Sequence, residues 1–335
     1  EFGVCSAMPV ARALQLCPQL VLVGGDYGKY GEYSKQVAEA LESFTPLVQM
    51  ASQDEAYMDM TGTEKLWGPP PSAGHRIRSE VISRTFLPCS IGIGSTKMIS
   101  KIASSMCKPN GLMYVPEGSE ERFLAPLPVG LLPGIGPKAV ERLKEIGIRT
   151  AGQLARYETG QLERRFGQWG AELIEKARGV GDSEVVPEFL PKQLSAERTF
   201  ARDIHEHGEL YHLLSNLSEK VAARLRKRDC WAATLTLKYR YSNFETHTAA
   251  RTLASPTNDE VEIFREIRAL LNSHWDGRAI RLLGVSGGNL HFGRQQLDIL
   301  EAEKGENLER LQQAIDASRG KHGFRVLRRG SSLKE

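Results

Sequence analysis

The sequence predicts an α+β protein of several domains, and three observations carry this prediction. Strand and helix patterns alternate over residues 21–115, short helices with tight loops fill residues 124–182, and residues 194–292 give the order β-α-β-β-α-β. That last order is typical of a ferredoxin-like domain. A chain of 335 residues has room for two to four domains.

The first region predicts an α/β sheet domain with one piece missing at its front, because the chain has no initiator Met and enters this pattern at once. Pro109 should stop its last helix, since proline cannot continue one. The predicted elements are a strand at 21–23, a helix at 30–43, a hairpin of strands at 47–51 and 57–60, a helix at 74–86, a strand at 89–93, a helix at 97–107 and a strand at 112–115.

Helix signals mark the second region. Pro137 stands at a favoured first helical position, Gly147 provides a stop, and Thr150 with Gln153 has the spacing of a capping box. The stretch 183–193 contains two prolines and no periodicity, which predicts a linker.

The composition limits the possible classes of protein. Hydrophobic residues make up 41% and charged residues 25%, and the formal net charge is only +3, so nucleic-acid binding would need a local basic face. Five scattered cysteines without a C-x-x-C pair predict a reducing compartment and no structural metal. No apolar run suits a membrane span and no leader is present, so we expect a cytoplasmic protein that binds no membrane.

An acidic pair, Asp54 and Glu55, falls in the predicted hairpin turn. Neighbouring residues of a regular strand point to opposite faces, so these carboxylates can share a cation only where the chain turns. Paired carboxylates at such a turn could hold magnesium. The alternative is a solvated acidic turn, which is the commoner case for an isolated pair.

Three lysines accompany this pair. On a helical wheel, Lys97, Lys101 and Lys108 project from one stripe, and the opposite side is apolar. Beside two carboxylates, such a stripe predicts a clamp for a triphosphate. Without them it would be an ordinary solvated face.

Glycines and arginines suggest contact with a nucleic-acid backbone. Gly134 and Gly136 form a tight turn before a helix, where backbone N–H groups can bind phosphate; Gly167 and Gly170 suggest a second, less regular hairpin. A plain loop is the alternative. Basic residues on the terminal strands are interleaved with aromatics, which suits a duplex backbone, although any one of them could equally be solvent-exposed. These basic residues are Arg198, Lys238, Arg240, Arg251 and Arg281.

Together these features resemble the Y-family of translesion DNA polymerases, in its DNA polymerase IV (DinB) branch, over nearly the whole chain. The matching segments are Phe2-Gly3-Val4, Ser6-Ala7-Met8-Pro9 and Leu16-Cys17-Pro18 in the fingers, Ser52-x-Asp54-Glu55-Ala56-Tyr57, Ser90-Ile91-Gly92-Ile93, Lys101-Ile102-Ala103-Ser104 and Lys108-Pro109-Asn110-Gly111 in the palm, Pro133-Gly134-Ile135-Gly136 in the thumb, and Ser195-x-Glu197-x-Thr199-Phe200 and Arg281-Leu282-Leu283-Gly284-Val285 in the little finger.

The resemblance implies an α+β right-hand polymerase that bypasses lesions at low fidelity, acting as a monomer on primer-template DNA and deoxynucleoside triphosphates with two Mg²⁺ ions. Asp54 and Glu55 would be catalytic metal ligands, and Lys108 would contact the triphosphate. The implied DNA-binding residues are Gly134, Gly136, Lys138, Arg198, Arg240 and Arg251. The implied domains are a fingers remnant at 1–25, a palm without its first strand at 26–115, a helix-hairpin-helix thumb at 116–182, a linker at 183–193, a ferredoxin-like little finger at 194–293 and a tail at 294–335.

Two departures from the family pattern matter. No segment matches the first catalytic motif, an aspartate strand followed by paired aromatics, so we expect this chain alone to be inactive and prone to aggregate. In the little finger, Thr248-Ala249 stands where Thr-Arg is expected, which leaves more of that role to Arg251. The alternatives to a polymerase are a noncatalytic mutagenesis accessory and a DNA-binding protein.

The tail contains a segment, Gln296-Leu297-Asp298-Ile299-Leu300, that resembles the peptide by which these polymerases bind the sliding clamp. Its last two residues are Ile299 and Leu300 where an aromatic is usual, so we expect weaker anchoring. A stray amphipathic stretch is the alternative. The sliding clamp is therefore an expected partner.

Overall fold

The computed structural model describes residues 1–188, 190–293, 302–324, 326–327 and 330, with residues 302–309 described by their backbone. The chain divides into two compact units, residues 1–189 and residues 190–335. The boundary falls inside the stretch predicted as a linker. None of the helices in the described ranges is long and apolar enough to cross a membrane.

The first unit opens with helices and short strands. These elements are α1 (Val10–Leu16), α2 (Tyr27–Glu42), β1 (Val48–Met50), β2 (Ala56–Met58), α3 (Glu64–Trp67), α4 (Pro70–Thr85), β3 (Ile91–Ile93), α5 (Lys97–Met106) and β4 (Leu112–Tyr114). They follow the predicted order from α2 onward, with two short helices, α1 and α3, that the sequence did not predict. The predicted strand at 21–23 is wrong. Its three apolar side chains are exposed and the segment pairs with no strand among the described residues, so its backbone lacks the ladder that defines a strand.

The four short strands form two separate ribbons in the described structure. β1 and β2 pair antiparallel, with Gln49 opposite Tyr57, which confirms the predicted hairpin. β3 and β4 pair in parallel. Helix α5 lies directly on β3, because a Cβ atom at Gly92 would come within 2.0 Å of the Ser100 carbonyl oxygen. The helix that carries the predicted lysines is thus fixed against its strand.

Short helices complete the first unit, as predicted. They are α6 (Glu120–Leu124), a 3₁₀ turn (Val129–Leu131), α7 (Pro137–Glu145), α8 (Ala151–Ala155), α9 (Thr159–Phe166) and α10 (Gln168–Ala177). Thr150 and Gln153 form the capping box at the start of α8. Ile99 and Ile102 of α5 are buried in one apolar cluster with leucines of this region, so α5 and the short helices share a core.

The second unit confirms the β-α-β-β-α-β order. Its elements are β5 (Gln193–Ile204), α11 (His207–Lys227), β6 (Cys230–Tyr241), β7 (Thr246–Thr257), α12 (Glu260–His274) and β8 (Ile280–Phe292). The four strands are antiparallel and lie in the order β5-β8-β6-β7. Leu235, Leu237 and Leu283 point to one face and are buried with apolar residues of α11 and α12. That face carries the helices, and the other face of the sheet is open.

A last helix, α13 (Ala302–His322), adds to the helical layer of the second unit. Arg319 is buried and contacts both Glu219 at 2.5 Å and Glu260 at 3.4 Å. Arg226 of α11 pairs with Asp316 at 2.6 Å. Since buried charges persist only when they are paired, α13 is an integral part of this unit rather than a loose tail.

Candidate functional site

The acidic pair lies at the tip of the β1–β2 hairpin. The Ser52 hydroxyl donates to Asp54 Oδ1 at 2.6 Å and accepts from the Glu55 backbone N–H at 3.1 Å, so this serine fixes the turn. The backbone N–H of Ala51 donates to the Glu55 carbonyl oxygen at 2.9 Å. Asp54 and Glu55 are both exposed. The prediction that these carboxylates occupy a turn is therefore confirmed.

Lys101 of α5 meets this turn. Its Nζ lies 2.6 Å from Glu55 Oε2, and the hydrogen bond to Glu55 raises the pKa of Lys101 above its usual value. Asp54 and Tyr57 add to the shift. The lysine thus supplies positive charge at the place where the sequence suggests a cation.

The donor set fits magnesium, since Asp54 and Glu55 offer the carboxylate oxygens that hard divalent cations prefer. The described part of the chain contains no group of three or more His, Cys, Asp or Glu residues able to hold a metal ion. Asp54 and Glu55 therefore fit the role of two carboxylate ligands of a magnesium site. All five cysteines are unpaired.

The predicted lysine stripe is only partly correct. Lys97 Nζ lies 2.9 Å from Asp182 Oδ2 and 5.9 Å from the centre of the Tyr57 ring, so it faces the hairpin and residues just before the linker. Helix α5 ends at Met106, and Lys108 follows it in an exposed turn. A helical wheel therefore cannot place Lys108 beside the other two lysines, because Pro109 ended the helix early.

The glycine turn before α7 has the expected geometry. Gly134 has φ +91°, which favours glycine, and Gly136 is the residue that precedes the helix, with Pro137 at its first position. No side chain in the described ranges caps this N-terminus, and Lys138 is exposed beside it. Pro137 carries no N–H and the Ala139 N–H donates to the Gly136 carbonyl oxygen at 2.9 Å, so the N–H groups of Gly136 and Lys138 are the ones that remain for an anion at this turn.

Sequence reasoning missed one basic residue at this turn. Lys176 of α10 has its Nζ 3.5 Å from the position that a Cβ atom at Gly134 would occupy. Nothing in the local sequence marks Lys176, because its neighbours on α10 form an ordinary buried face. Gly167, with φ +67°, is the single residue between α9 and α10, which gives the predicted second turn its structure.

The strand arginines do not lie together. Arg240 is on the open face of the sheet, where its Nε donates to Thr246 Oγ1 at 2.7 Å. Arg198 is opposite Leu283, and Arg251 is opposite Leu235, so both lie on the helix-bearing face. Arg251 forms an ion pair with Glu266 of α12 at 2.8 Å.

Three further predictions concern other positions of the second half of the chain. Ala249, where the resemblance led us to expect arginine, is buried opposite Leu237 and packs in the core. Arg281 pairs with Asp203 at 2.9 Å. The predicted clamp-binding residues Gln296, Leu297, Ile299 and Leu300 lie outside the described residues.

Comparison with known proteins gives a consistent picture. The impB/mucB/samB family model matches residues 1–105, its C-terminal domain model matches residues 191–299, and a model of the DNA polymerase-iota thumb domain matches residues 130–181. The chain is 37% identical to DNA polymerase IV of Dehalococcoides mccartyi, over all of this chain and 86% of that protein. It is 37% identical to DNA polymerase IV of Caulobacter vibrioides, over 99% of this chain and 83% of that protein.

Solved structures agree on the fold. A Y-family DNA polymerase chimera of Dbh and Dpo4 superposes with a TM-score of 0.77, at 20% identity, over 87% of this chain and 85% of that one. An insertion ternary complex of Dbh DNA polymerase gives a TM-score of 0.59 at the same identity and coverage.

Proposed function

The chain belongs to the impB/mucB/samB family, within the Y-family DNA polymerases and close to DNA polymerase IV, and we propose that it copies damaged templates at low fidelity. The observation that carries this proposal is the acidic pair Asp54–Glu55 at a hairpin tip, held by Ser52 and contacted by Lys101 of α5. Exposed carboxylates at a fixed turn, next to a cationic helix, suit chemistry on a triphosphate.

Asp54 and Glu55 are the residues we propose as ligands for two Mg²⁺ ions. Bound there, Mg²⁺ would neutralise charge on the phosphate oxygens and favour attack by the primer hydroxyl. Ser52 orients the Asp54 carboxylate, and Lys101 orients the Glu55 carboxylate before any substrate arrives. Lys108 would bind the triphosphate, and its exposure leaves its ammonium group accessible.

Primer-template DNA is the proposed macromolecular substrate. Gly134, Gly136 and Lys138 would bind its phosphates at the α7 N-terminus, where N–H groups favour anions whatever the base sequence. Arg240 would contact the duplex from the open face of the sheet. Arg198 and Arg251, on the edge strands β5 and β7, would contact the DNA backbone from the two edges of the sheet.

We also propose that these 335 residues do not extend primers by themselves, because the family's first aspartate motif has no match in them and two carboxylates remain. The test is primer extension with Mg²⁺ on undamaged and abasic templates. It compares the chain with a fusion in which a segment carrying the family's first motif, an aspartate strand followed by paired aromatics, precedes Glu1. We expect extension past the abasic site by the fusion alone.

A noncatalytic accessory role is the second proposal, favoured only by that missing motif. It predicts that the fusion binds DNA and extends nothing.

We also propose that the chain is a monomer in the cytoplasm and that it binds the sliding clamp through residues 296–300. Light scattering of the purified chain, alone and with clamp, tests both the partner and the monomer.

A further inference from the structure

The open face of the little-finger sheet carries mostly short side chains. Over residues 234–240 of β6 and 246–252 of β7, Ala250, the two long cationic side chains Lys238 and Arg240 and five threonines point to it; the threonines are Thr234, Thr236, Thr246, Thr248 and Thr252. At the centre of the sheet, β8 contributes Gly284 to this face, opposite Glu197 on one side and Lys238 on the other. Short side chains let a flat partner approach the strands closely.

Two cationic residues of β6, Lys238 and Arg240, lie next to each other on this face, two positions apart in the chain. Arg240 donates to the Thr246 hydroxyl and forms no ion pair with any described residue. Lys238 differs, because its Nζ lies 2.8 Å from Glu197 Oε2. The Glu197–Lys238 ion pair lies across Gly284, where a Cβ atom would come within 3.1 Å of Glu197 Cβ and 3.5 Å of Lys238 Cβ. The glycine therefore leaves the space through which the two side chains meet.

The Glu197–Lys238 pair is half-exposed, so it competes with water and with any anion that reaches the face. A DNA phosphate near Lys238 must either displace the Glu197 carboxylate or lie close to its negative charge. Both cases lower the affinity of the face for a polyanion. A lysine that stays paired with Glu197 neutralises no phosphate and therefore releases no counterion from the DNA.

We propose that Glu197 limits the grip of the little finger on DNA by neutralising Lys238, so that of the two cations Lys238 and Arg240 only Arg240 is unpaired among the described residues. This inference rests on the proposed binding of duplex DNA to that face. A weakened grip shortens the time that the enzyme stays on one template, which restricts a low-fidelity enzyme to short stretches of synthesis.

The test is binding of a labelled primer-template duplex by fluorescence anisotropy at a series of salt concentrations. Glu197→Gln should tighten binding several-fold at low salt and steepen the salt slope by about 0.9, the value for one added phosphate contact on B-form DNA. Lys238→Met should weaken binding, because Glu197 is then uncompensated. The double variant should return close to the wild-type slope. Glu262→Gln, which removes an acid from an exposed pair with Arg265 on α12, is the matched control and should change nothing.

Arg240→Gln distinguishes a failure of the Glu197 role from a failure of the proposed DNA-binding face. If it flattens the slope while Glu197→Gln leaves the slope unchanged, the face binds DNA and the role of Glu197 is refuted. If neither variant changes the slope, the proposed binding face is wrong and the inference is lost with it. A Glu262→Gln effect equal to that of Glu197→Gln would show a response to net charge alone and would also overturn the inference.

Discussion

Lys101 Nζ and Glu55 Oε2 lie 2.6 Å apart, which joins the middle of α5 to the tip of the β1–β2 hairpin. This contact fixes the Glu55 carboxylate, which we propose as a metal ligand. It also gives Lys101 a pKa above its ordinary value, with the hydrogen bond to Glu55 as the main cause. The first prediction follows from that shift.

Replacing Lys101 with Gln should lower the free energy of unfolding by about 0.5 kcal/mol at pH 8, the scale of a part-exposed ion pair. Because the folded pKa is raised, this contribution is complete below the unfolded value near 10.5 and is lost as pH rises through the higher folded value. Urea unfolding of both proteins at pH 8 and above pH 11 measures it. Lys35→Gln, in an exposed pair on α2, should cost no more than a few tenths of a kcal/mol. A Lys101 cost that is independent of pH would contradict the linkage.

Asp54→Ala and Glu55→Ala should each reduce primer extension by the fusion at least about 100-fold, since charge stabilisation by a metal is worth several kcal/mol. DNA affinity should change little, which separates a catalytic loss from unfolding. Steady-state incorporation of a single nucleotide is the measurement. Glu64→Gln, an acidic residue at the start of α3, serves as the control. Normal extension by Asp54→Ala would remove the catalytic assignment.

Arg240→Gln should flatten the salt dependence of DNA binding by about 0.9, because one phosphate contact is lost. Arg251→Gln should have a smaller effect, since Glu266 already neutralises that guanidinium. The double variant should combine both effects, as measured by anisotropy against log salt concentration. Arg265→Gln on α12 should leave the slope as it is. Equal slopes for all of these proteins would place the interface elsewhere.

Arg319→Met should destabilise the second unit by about 3 kcal/mol, because Glu219 and Glu260 then keep buried charges without that partner. Arg319→Lys should restore part of the loss. Chemical denaturation followed by tryptophan fluorescence gives the values. Lys321→Met, an exposed change on the same helix, should stay within about 0.5 kcal/mol of the parent. An Arg319→Met protein as stable as the parent would mean that α13 is not needed for the unit.

The clamp prediction rests on sequence. Changing Leu297 and Leu300 together to Ala should abolish the calorimetric signal of binding to the sliding clamp, because the two leucines provide the apolar anchors. Glu303→Ala, just beyond the segment, should bind as the parent does. Binding that survives the double substitution would locate the docking site in another part of the chain.

Much of this architecture could be predicted from sequence because the signals are local. The capping box at Thr150, the turn around Gly134 and the period-two strands of the second unit each depend on neighbouring residues. Lys108 shows the limit of such patterns. A wheel assumes that the helix continues, whereas α5 ends at Met106 and residues 107–110 form a turn.

Relations between distant segments were harder to predict. The strand pattern identified Arg198, Arg240 and Arg251 as basic strand residues, but their faces depend on the register with β8 and β6, which sequence alone does not give. Lys176 near Gly134 and Arg319 near Glu219 bring together residues far apart in the chain. Long-range contacts of this kind leave no periodic signal, so these residues had to be found in the structure.

The strand order β5-β8-β6-β7 has a consequence for synthesis of the protein on the ribosome. Among the described strands, β5 pairs only with β8, and Ala196 is opposite Val285. β5 is therefore translated long before its partner exists, and the edges of β5 and β6 stay open until β8 leaves the exit tunnel. During that interval the nascent domain offers unpaired strands to its neighbours, and a chaperone that binds extended segments would be most useful to it then.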